Sequence, residues 1–146
     1  MRIKKIGKAS KGAVRNATKV EYDGIKFDSK LEQYAYAQLK LFKIHFTMKQ
    51  KFVIFDGFRY GDELIRPISW TPDYILPHHN IILETKGFAN DQWSLKVKLI
   101  KKYFLNKVNF IYDYDGIAVE RNLLSPKIVI CKSQKEVNAF IAEIIK

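Results

Sequence analysis

The chain has 146 residues and 47% hydrophobic content, which is enough for one globular domain with a single core. Its 26 lysine and arginine residues against 15 aspartate and glutamate residues give a formal net charge of +11, which favours a polyanionic partner, with an anionic membrane surface as the alternative. A single cysteine, Cys131, excludes an intrachain disulfide and a thiolate metal cluster, and no window approaches the roughly 18 apolar residues that span a bilayer.

The first predicted segment is a basic arm over residues 1–19. It contains seven basic residues and no acidic one, separated largely by small and polar residues: Arg2, Lys4, Lys5, Lys8, Lys11, Arg15 and Lys19. Such arms often bind nucleic acid, and a solubility tail is the alternative. The segment has no apolar core of a secretion signal, so we expect a soluble cytoplasmic protein whose single domain covers residues 20–146.

Residues 29–42 have the pattern of an amphipathic helix that begins near Ser29. Apolar residues recur at the spacing of one helix face: Leu31, Ala35, Leu39 and Phe42. Ser29 and Glu32 also have the spacing of a capping box, in which the glutamate side chain stabilises the start of the helix.

The next block, residues 51–76, is rich in strand-forming residues and is divided by DG, GD and proline, which predicts a meander of antiparallel strands. The sequence NIILETK predicts a further strand, and residues 90–104 return to helical spacing. Two strands, VNFIYDY and KIVIC, and a terminal helix that opens with Ser133 and Glu136 in capping-box spacing complete the order. This order predicts an α/β or α+β domain with a mixed sheet flanked by helices.

Two acidic residues and a lysine lie in or beside the most apolar strands. Strand alternation places Glu84 and Lys86 on one face of the NIILETK strand. If the sequence PHHN forms a four-residue hairpin loop, Leu76 pairs with Ile81, and the same register places Asp73 directly opposite Glu84. Directly opposed like charges repel, so the sequence predicts a further component that stabilises this pair.

Two facing carboxylates are stable when they share a proton, pair with a base or bind a divalent cation. A set of oxygen ligands suits Mg²⁺ or Mn²⁺, which would stabilise charge at phosphorus and lower the pKa of an attacking water. Lys86 would orient or deprotonate that water, or face the phosphoryl oxygens. The alternatives are a solvated strand face for Glu84 and Lys86, and a turn role for Asp73 after Pro72.

These residues resemble the signature of the PD-(D/E)xK nuclease superfamily. The sequence PD is followed by ten residues and then by ETK, in the order acid, acid and lysine of that signature. The longer stretches YDGIKFDSKLEQ, KFVIFDGFRYGDELIRPISWTPDYI and ETKGF are similar to a family of small, largely uncharacterised phage-encoded proteins placed in that superfamily. A looser similarity, through a helix glutamate, a TPD strand, an ETKG strand and a basic helix, is to the phage-type endonuclease I Holliday junction resolvases, which are Mg²⁺-dependent dimers.

The resemblance implies a restriction-endonuclease-like core and a Mg²⁺-dependent endonuclease that hydrolyses phosphodiester bonds, with Mn²⁺ as a substitute metal. It makes Asp73 and Glu84 metal ligands, with the Thr85 carbonyl as a third candidate. It makes Lys86 the catalytic lysine and matches Glu32 to an additional catalytic acid. For Glu32 the capping-box role stays as an equal alternative.

Basic residues on the helix after this site are expected to contact DNA phosphates together with the basic arm. The candidates are Lys4, Lys5, Lys8, Lys11 and Arg15 in the arm, and Lys96, Lys98, Lys101 and Lys102 on the helix. The adjacent His78 and His79 are expected to be loop residues, and Cys131 a buried, unreactive thiol.

The resemblance thus implies a homodimer that resolves branched DNA, in particular a four-way Holliday junction in phage DNA recombination, in the host cytoplasm. One alternative is a nuclease that cuts linear or sequence-specific duplex DNA. The other is a non-catalytic DNA-binding protein whose carboxylate hairpin is relict or structural. The presence of all three of Asp73, Glu84 and Lys86 favours catalysis, because a relict site is free to lose any of them.

Overall fold

A computed structural model describes residues 19–105 and 125–146. The strands are β1 (Val20–Tyr22), β2 (Ile25–Phe27), β3 (Phe52–Phe55), β4 (Phe58–Tyr60), β5 (Glu63–Ile65), β6 (Ile68–Trp70), β7 (Tyr74–Leu76), β8 (Ile81–Thr85) and β9 (Lys127–Cys131). The helices are α1 (Lys30–Leu41), α2 (Asp91–Phe104) and α3 (Gln134–Ile144). The predicted α+β class is therefore confirmed. The predicted basic arm, except for Lys19, and the predicted strand VNFIYDY lie outside the described residues.

The central sheet is mixed, as predicted, and has the order β7-β8-β9. Strand β8 pairs antiparallel with β7 and parallel with β9. One face, with Leu83 of β8, packs against α1 and α3, and the other face, with Ile82, packs against α2, β3 and β6. Because helices cover both faces, all five residues of β8 are buried, which explains its nearly continuous apolar sequence.

A short hairpin, β1–β2, precedes α1 and is not among the predicted elements. Its turn is Asp23-Gly24, with φ values of 54° and 72°, the left-handed backbone that a two-residue hairpin turn requires. The hairpin is held against α1, since the Tyr36 hydroxyl donates to Asp23 Oδ2 at 2.8 Å and the Tyr36 ring lies 5.1 Å from the Phe27 ring. The sequence DG between strand-forming residues is the signal that identifies it.

The strands of residues 51–76 are antiparallel, as predicted, but they do not form a simple meander. Strand β3 pairs with β6, and the hairpin β4–β5 lies between them in the chain. The hairpins are nested because Phe52 and Trp70, at the two ends of this block, pair with each other and are both buried in the core with α2. Local alternation cannot distinguish nested from sequential pairing, since both use the same strands.

Helices α1 and α3 begin at their predicted caps, Ser29 and Ser133. The Ser29 and Ser133 hydroxyls accept from the backbone N–H groups of Glu32 and Glu136 at 3.1 and 3.2 Å. The predicted core face of α1 is confirmed for Ala35 and Leu39, which are fully buried. It is wrong for Phe42, which is exposed, because the helix ends at Leu41 and Phe42 is already its C-cap.

The cysteine of β9 is buried, as predicted. Cys131 packs in the core between the sheet, α1 and α3. Burial, with a smaller contribution from the nearby Glu136 charge, raises the pKa of its thiol to about 11. A thiol with so high a pKa is a poor nucleophile at neutral pH. None of the helices in residues 19–105 and 125–146 has the length and apolar character needed to cross a membrane.

Candidate active site

The β7–β8 hairpin brings the two predicted acids together. The residues after β7 form a short 3-10 turn, Pro77–His79, followed by Asn80 in the left-handed conformation at φ 53°. Leu76 consequently lies opposite Ile81, as predicted. The same register continues to the open end of the hairpin, where the Asp73 backbone N–H donates to Glu84 Oε2 at 3.1 Å. The predicted juxtaposition of Asp73 and Glu84 is confirmed.

Asp73 is oriented by Thr85. The Asp73 Oδ2 atom accepts a hydrogen bond from the Thr85 backbone N–H at 2.8 Å and another from the Thr85 hydroxyl at 2.7 Å. Two donors on one oxygen fix the carboxylate rotamer and favour its charged form. The family resemblance implies the Thr85 carbonyl as a third metal ligand, and in the structure the amide and hydroxyl of Thr85 hold Asp73 in place.

Both carboxylates lie where a negative charge is costly. Glu84 is only 8% exposed. Burial is the largest cause that raises the pKa of each, and the Asp73 charge adds to it for Glu84, whose pKa rises to about 8. The Lys86 charge and the hydrogen bonds lower both pKa values but do not offset burial. The folded protein therefore disfavours the charged form of both carboxyl groups, and a bound divalent cation would offset that cost.

Lys86 lies beside the carboxylates without pairing with them. Its Nζ atom sits over the Trp93 ring, 4.8 Å from the centroid. Among the described residues, a salt bridge joins Lys146 to Glu143, whereas the Lys86 Nζ atom lies more than 4 Å from the carboxylate oxygens of both Asp73 and Glu84. Trp93, in the first turn of α2, is partly buried against the core. The structure shows that it also positions the side chain of Lys86.

Glu32 joins the site from α1 and caps the helix at the same time. Its Oε2 atom accepts from the Asp28 backbone N–H at 3.0 Å, one residue before the N-cap that a capping box uses. Its pKa rises to about 7, mainly through burial and next through repulsion by Asp73. The Tyr74 hydroxyl donates to the Glu32 carbonyl at 2.7 Å and so ties α1 to β7. Capping and proximity to Asp73 are thus compatible.

Two further charged residues act on this site and are not among the predicted ones. The negative charge of Asp28 raises the pKa of both Asp73 and Glu32. The positive charge of Lys49 lowers that of Glu32. Asp28 is detectable from the sequence, because it directly precedes the cap that places Glu32. Lys49 lies in a loop with φ 63°, and no periodicity predicts where such a residue lies.

Comparison with known proteins places the chain in a family without assigning a function. Residues 13–116 match the model of a family described as a protein of unknown function (DUF1064). The chain belongs to this family. The matched region contains every residue of the site, from Asp28 to Trp93. A search of curated proteins and a search of solved structures each gave no match.

Asp73 and Glu84 supply carboxylate oxygens, the kind of donor that Mg²⁺ binds. Among residues 19–105 and 125–146, no three aspartate, glutamate, histidine or cysteine side chains form a ready metal cage. Mg²⁺ commonly keeps several waters and takes one or two carboxylates together with substrate phosphates. Buried Glu84 and half-buried Asp73, whose pKa values are both raised mainly by loss of water, fit that pattern.

The predicted DNA contacts of the DUF1064 protein are placed only in part. Helix α2 follows the site directly, and Lys98, Lys101 and Lys102 are exposed on it, while Lys96 is half-buried. The five arm residues lie outside the described residues: Lys4, Lys5, Lys8, Lys11 and Arg15. His78 and His79 are exposed in the turn, at the opposite end of the hairpin from Asp73, which confirms them as loop residues.

Proposed function

We propose that this protein is a metal-dependent endodeoxyribonuclease that hydrolyses phosphodiester bonds in DNA. The observation that carries the proposal is the pair of half-buried Asp73 and buried Glu84, each with a raised pKa, beside a lysine that pairs with neither. A purely structural ion cluster would pair its lysine with its carboxylates, because an unpaired buried acid is costly. The arrangement instead fits carboxylates that hold a divalent cation and a lysine that faces a substrate.

Each residue has a distinct role in this proposal. Bound Mg²⁺ or Mn²⁺ would supply stabilisation of charge on the phosphate and acidify a water. Asp73 and Glu84 would hold the metal through their carboxylates, and Thr85 would keep Asp73 in its rotamer. The Lys86 side chain, supported by Trp93, would contact phosphoryl oxygens as charge develops on them.

Glu32 has a raised pKa that suits proton transfer near neutral pH. Its place next to Asp73 supports a role in the reaction beyond helix capping. The Tyr74 hydroxyl holds the main chain of Glu32, so the position of this acid is set by the hairpin that carries Asp73.

DNA is the proposed substrate because the chain carries +11 charges and presents lysines on α2 directly after the site. Among DNA substrates we propose a four-way junction, on the resemblance of the motifs to endonuclease I resolvases. A junction needs two symmetric cuts, which a two-fold homodimer would deliver. Linear duplex is the alternative substrate for the same chemistry.

The test is cleavage of an end-labelled synthetic four-way junction beside a linear duplex with the same arms, in Mg²⁺, in Mn²⁺ and in chelator. Asp73→Ala and Lys86→Ala are the site variants, and Asp56→Ala and Lys146→Ala, both exposed, are matched controls. We expect symmetric nicks on the junction, lost with chelator and in both site variants and retained in both controls.

Equal cleavage of the linear duplex and the junction would indicate a general nuclease rather than a junction resolvase. Binding of either DNA without cleavage in either metal would contradict catalysis and leave a DNA-binding protein.

A further inference from the structure

The hairpin β4–β5 exposes large apolar side chains and packs into neither core. Tyr60 is 74% exposed and Leu64 is 62% exposed, and Phe58 is exposed beside them. Among the described residues, neither of the two core clusters contains a residue of β4 or β5. An isolated two-stranded hairpin is marginally stable in water, and apolar residues on it are favourable only when another surface covers them.

The base of this hairpin is firmly attached to the rest of the molecule. A Cβ atom added to Gly57 would lie 2.9 Å from Pro67 Cδ and 3.0 Å from the Ile65 carbonyl oxygen. The two sides of the hairpin therefore approach each other here at a distance that only glycine permits. The Phe58 ring also contacts the Phe55 ring of β3, at 5.9 Å. The hairpin is therefore a projection with a fixed base, and apolar exposure continues from it onto Val53 and Ile68.

The charge of the hairpin distinguishes it from the rest of the chain. Residues 56–67 contain three acids and two bases, a net charge of −1, in a chain of +11: Asp56, Asp62, Glu63, Arg59 and Arg66. The other described residues, 19–55, 68–105 and 125–146, contain 16 basic and nine acidic residues, a net charge of +7. A surface that is apolar and acidic at its tip is not attracted to DNA phosphates, but it is complementary to a basic protein surface.

We propose that the β4–β5 hairpin is a docking element that binds the basic surface of a second copy of this chain. Each copy carries both the acidic apolar hairpin and the basic body, so two reciprocal contacts form around one two-fold axis. The contact buries Tyr60 and Leu64, which are exposed in the described part of the single chain. It does not depend on the chemistry at Asp73 and Glu84, and it supplies the two active sites that junction cleavage requires.

The test is sedimentation velocity of the full chain across a concentration range, at low and at high salt. The variant Leu64→Lys adds one charge to the hairpin, and Leu41→Lys is its matched control, because Leu41 is a 68% exposed leucine at the end of α1 and receives the same charge. We expect a wild-type dimer that salt weakens, association about 30-fold or more weaker in Leu64→Lys, and a control that dimerises normally.

A second variant, Tyr60→Ala, keeps the charge and is expected to weaken the dimer as well. Thermal melting of each variant checks that the fold is intact. A wild-type monomer at all concentrations, or equal association of Leu64→Lys and wild type, would overturn the proposal. Monomers of Leu64→Lys that also lose DNA affinity relative to wild-type monomers would assign the hairpin to DNA instead. Cleavage by Leu64→Lys on duplex, measured in parallel, separates loss of the dimer from loss of chemistry.

Discussion

At the scale of single residues, the carboxyl groups of Glu32 and Glu84 keep their protons up to near-neutral pH. The folded protein raises the pKa of Glu32 to about 7 and that of Glu84 to about 8, both from an ordinary value of 4.5. Between pH 4.5 and these values the folded state binds more protons than the unfolded chain. The contribution of these two groups to the stability of the folded state is therefore fully present below pH 4.5, and it is lost as the pH rises through their folded pKa values.

This protonation predicts a direction for the pH dependence of stability. In chelator, the free energy of unfolding from urea denaturation should fall between pH 4.5 and pH 8 through these groups. Glu84→Gln should flatten the fall, since glutamine does not titrate. The exposed Glu21 is the matched control, and Glu21→Gln should leave the slope unchanged. A free energy of unfolding that rises with pH over this range, and that does so equally in Glu84→Gln, would contradict the burial of this acid.

The hydroxyl of Thr85 gives a second prediction at this scale. Thr85→Val keeps the shape and the backbone N–H but removes one of the two donors to Asp73 Oδ2. At pH 9 we expect a loss of about 1–3 kcal/mol in the free energy of unfolding, because a hydrogen bond to a buried charged group is lost. Thr85→Ser retains the hydroxyl and should cost clearly less. Equal losses in the two variants would exclude the hydrogen bond as the cause.

At the scale of elements, the sequence is most informative where one pattern fixes one geometry. The two-residue period of NIILETK and the four-residue loop determine which residues face each other, so Asp73 and Glu84 are predictable as a pair. The serine caps of α1 and α3 are predictable for the same reason, since side chain and backbone lie within one turn.

Other features depend on contacts between segments far apart in the chain. The nested pairing of β3 with β6 follows from the packing of Phe52 and Trp70 against α2, which no local pattern contains. The support of Lys86 by Trp93 likewise requires the angle at which α2 leaves the sheet. Helical spacing places Trp93 on the apolar face of α2 whether or not it contacts Lys86, so the sequence does not indicate this contact.

Helix α2 gives a prediction at this scale, because it joins the core to the site. Ile100 is almost fully buried between α2, β3 and the sheet. Ile100→Ala should lower the free energy of unfolding by about 2–5 kcal/mol through lost burial and a cavity. Leu95 is an exposed residue of the same helix, and Leu95→Ala should change it by less than about 0.5 kcal/mol. Urea denaturation measures both, and similar losses would contradict the observed orientation of α2.

At the scale of the whole molecule, charge is the dominant feature, and it predicts how DNA binding responds to salt. In chelator, the logarithm of DNA affinity should fall linearly with the logarithm of salt concentration. Lys98→Ala and Lys102→Ala, on the exposed face of α2, should each reduce that slope by about 1. Lys146→Ala, a 75% exposed lysine after the end of α3, is the control with an equal loss of charge. Equal effects of all three would indicate that net charge, not the α2 face, holds the DNA.

The account as a whole depends on Asp73 and Glu84 acting as a divalent metal site for a reaction in which Lys86 contacts the substrate. The most direct measurement is a titration with Mn²⁺ at pH 8, followed by electron paramagnetic resonance of the free ion. The account predicts one class of saturable sites in the wild type, lost in Asp73→Asn and in Glu84→Gln and retained in Lys86→Ala. Equal binding of Mn²⁺ by the wild type and Asp73→Asn would contradict it.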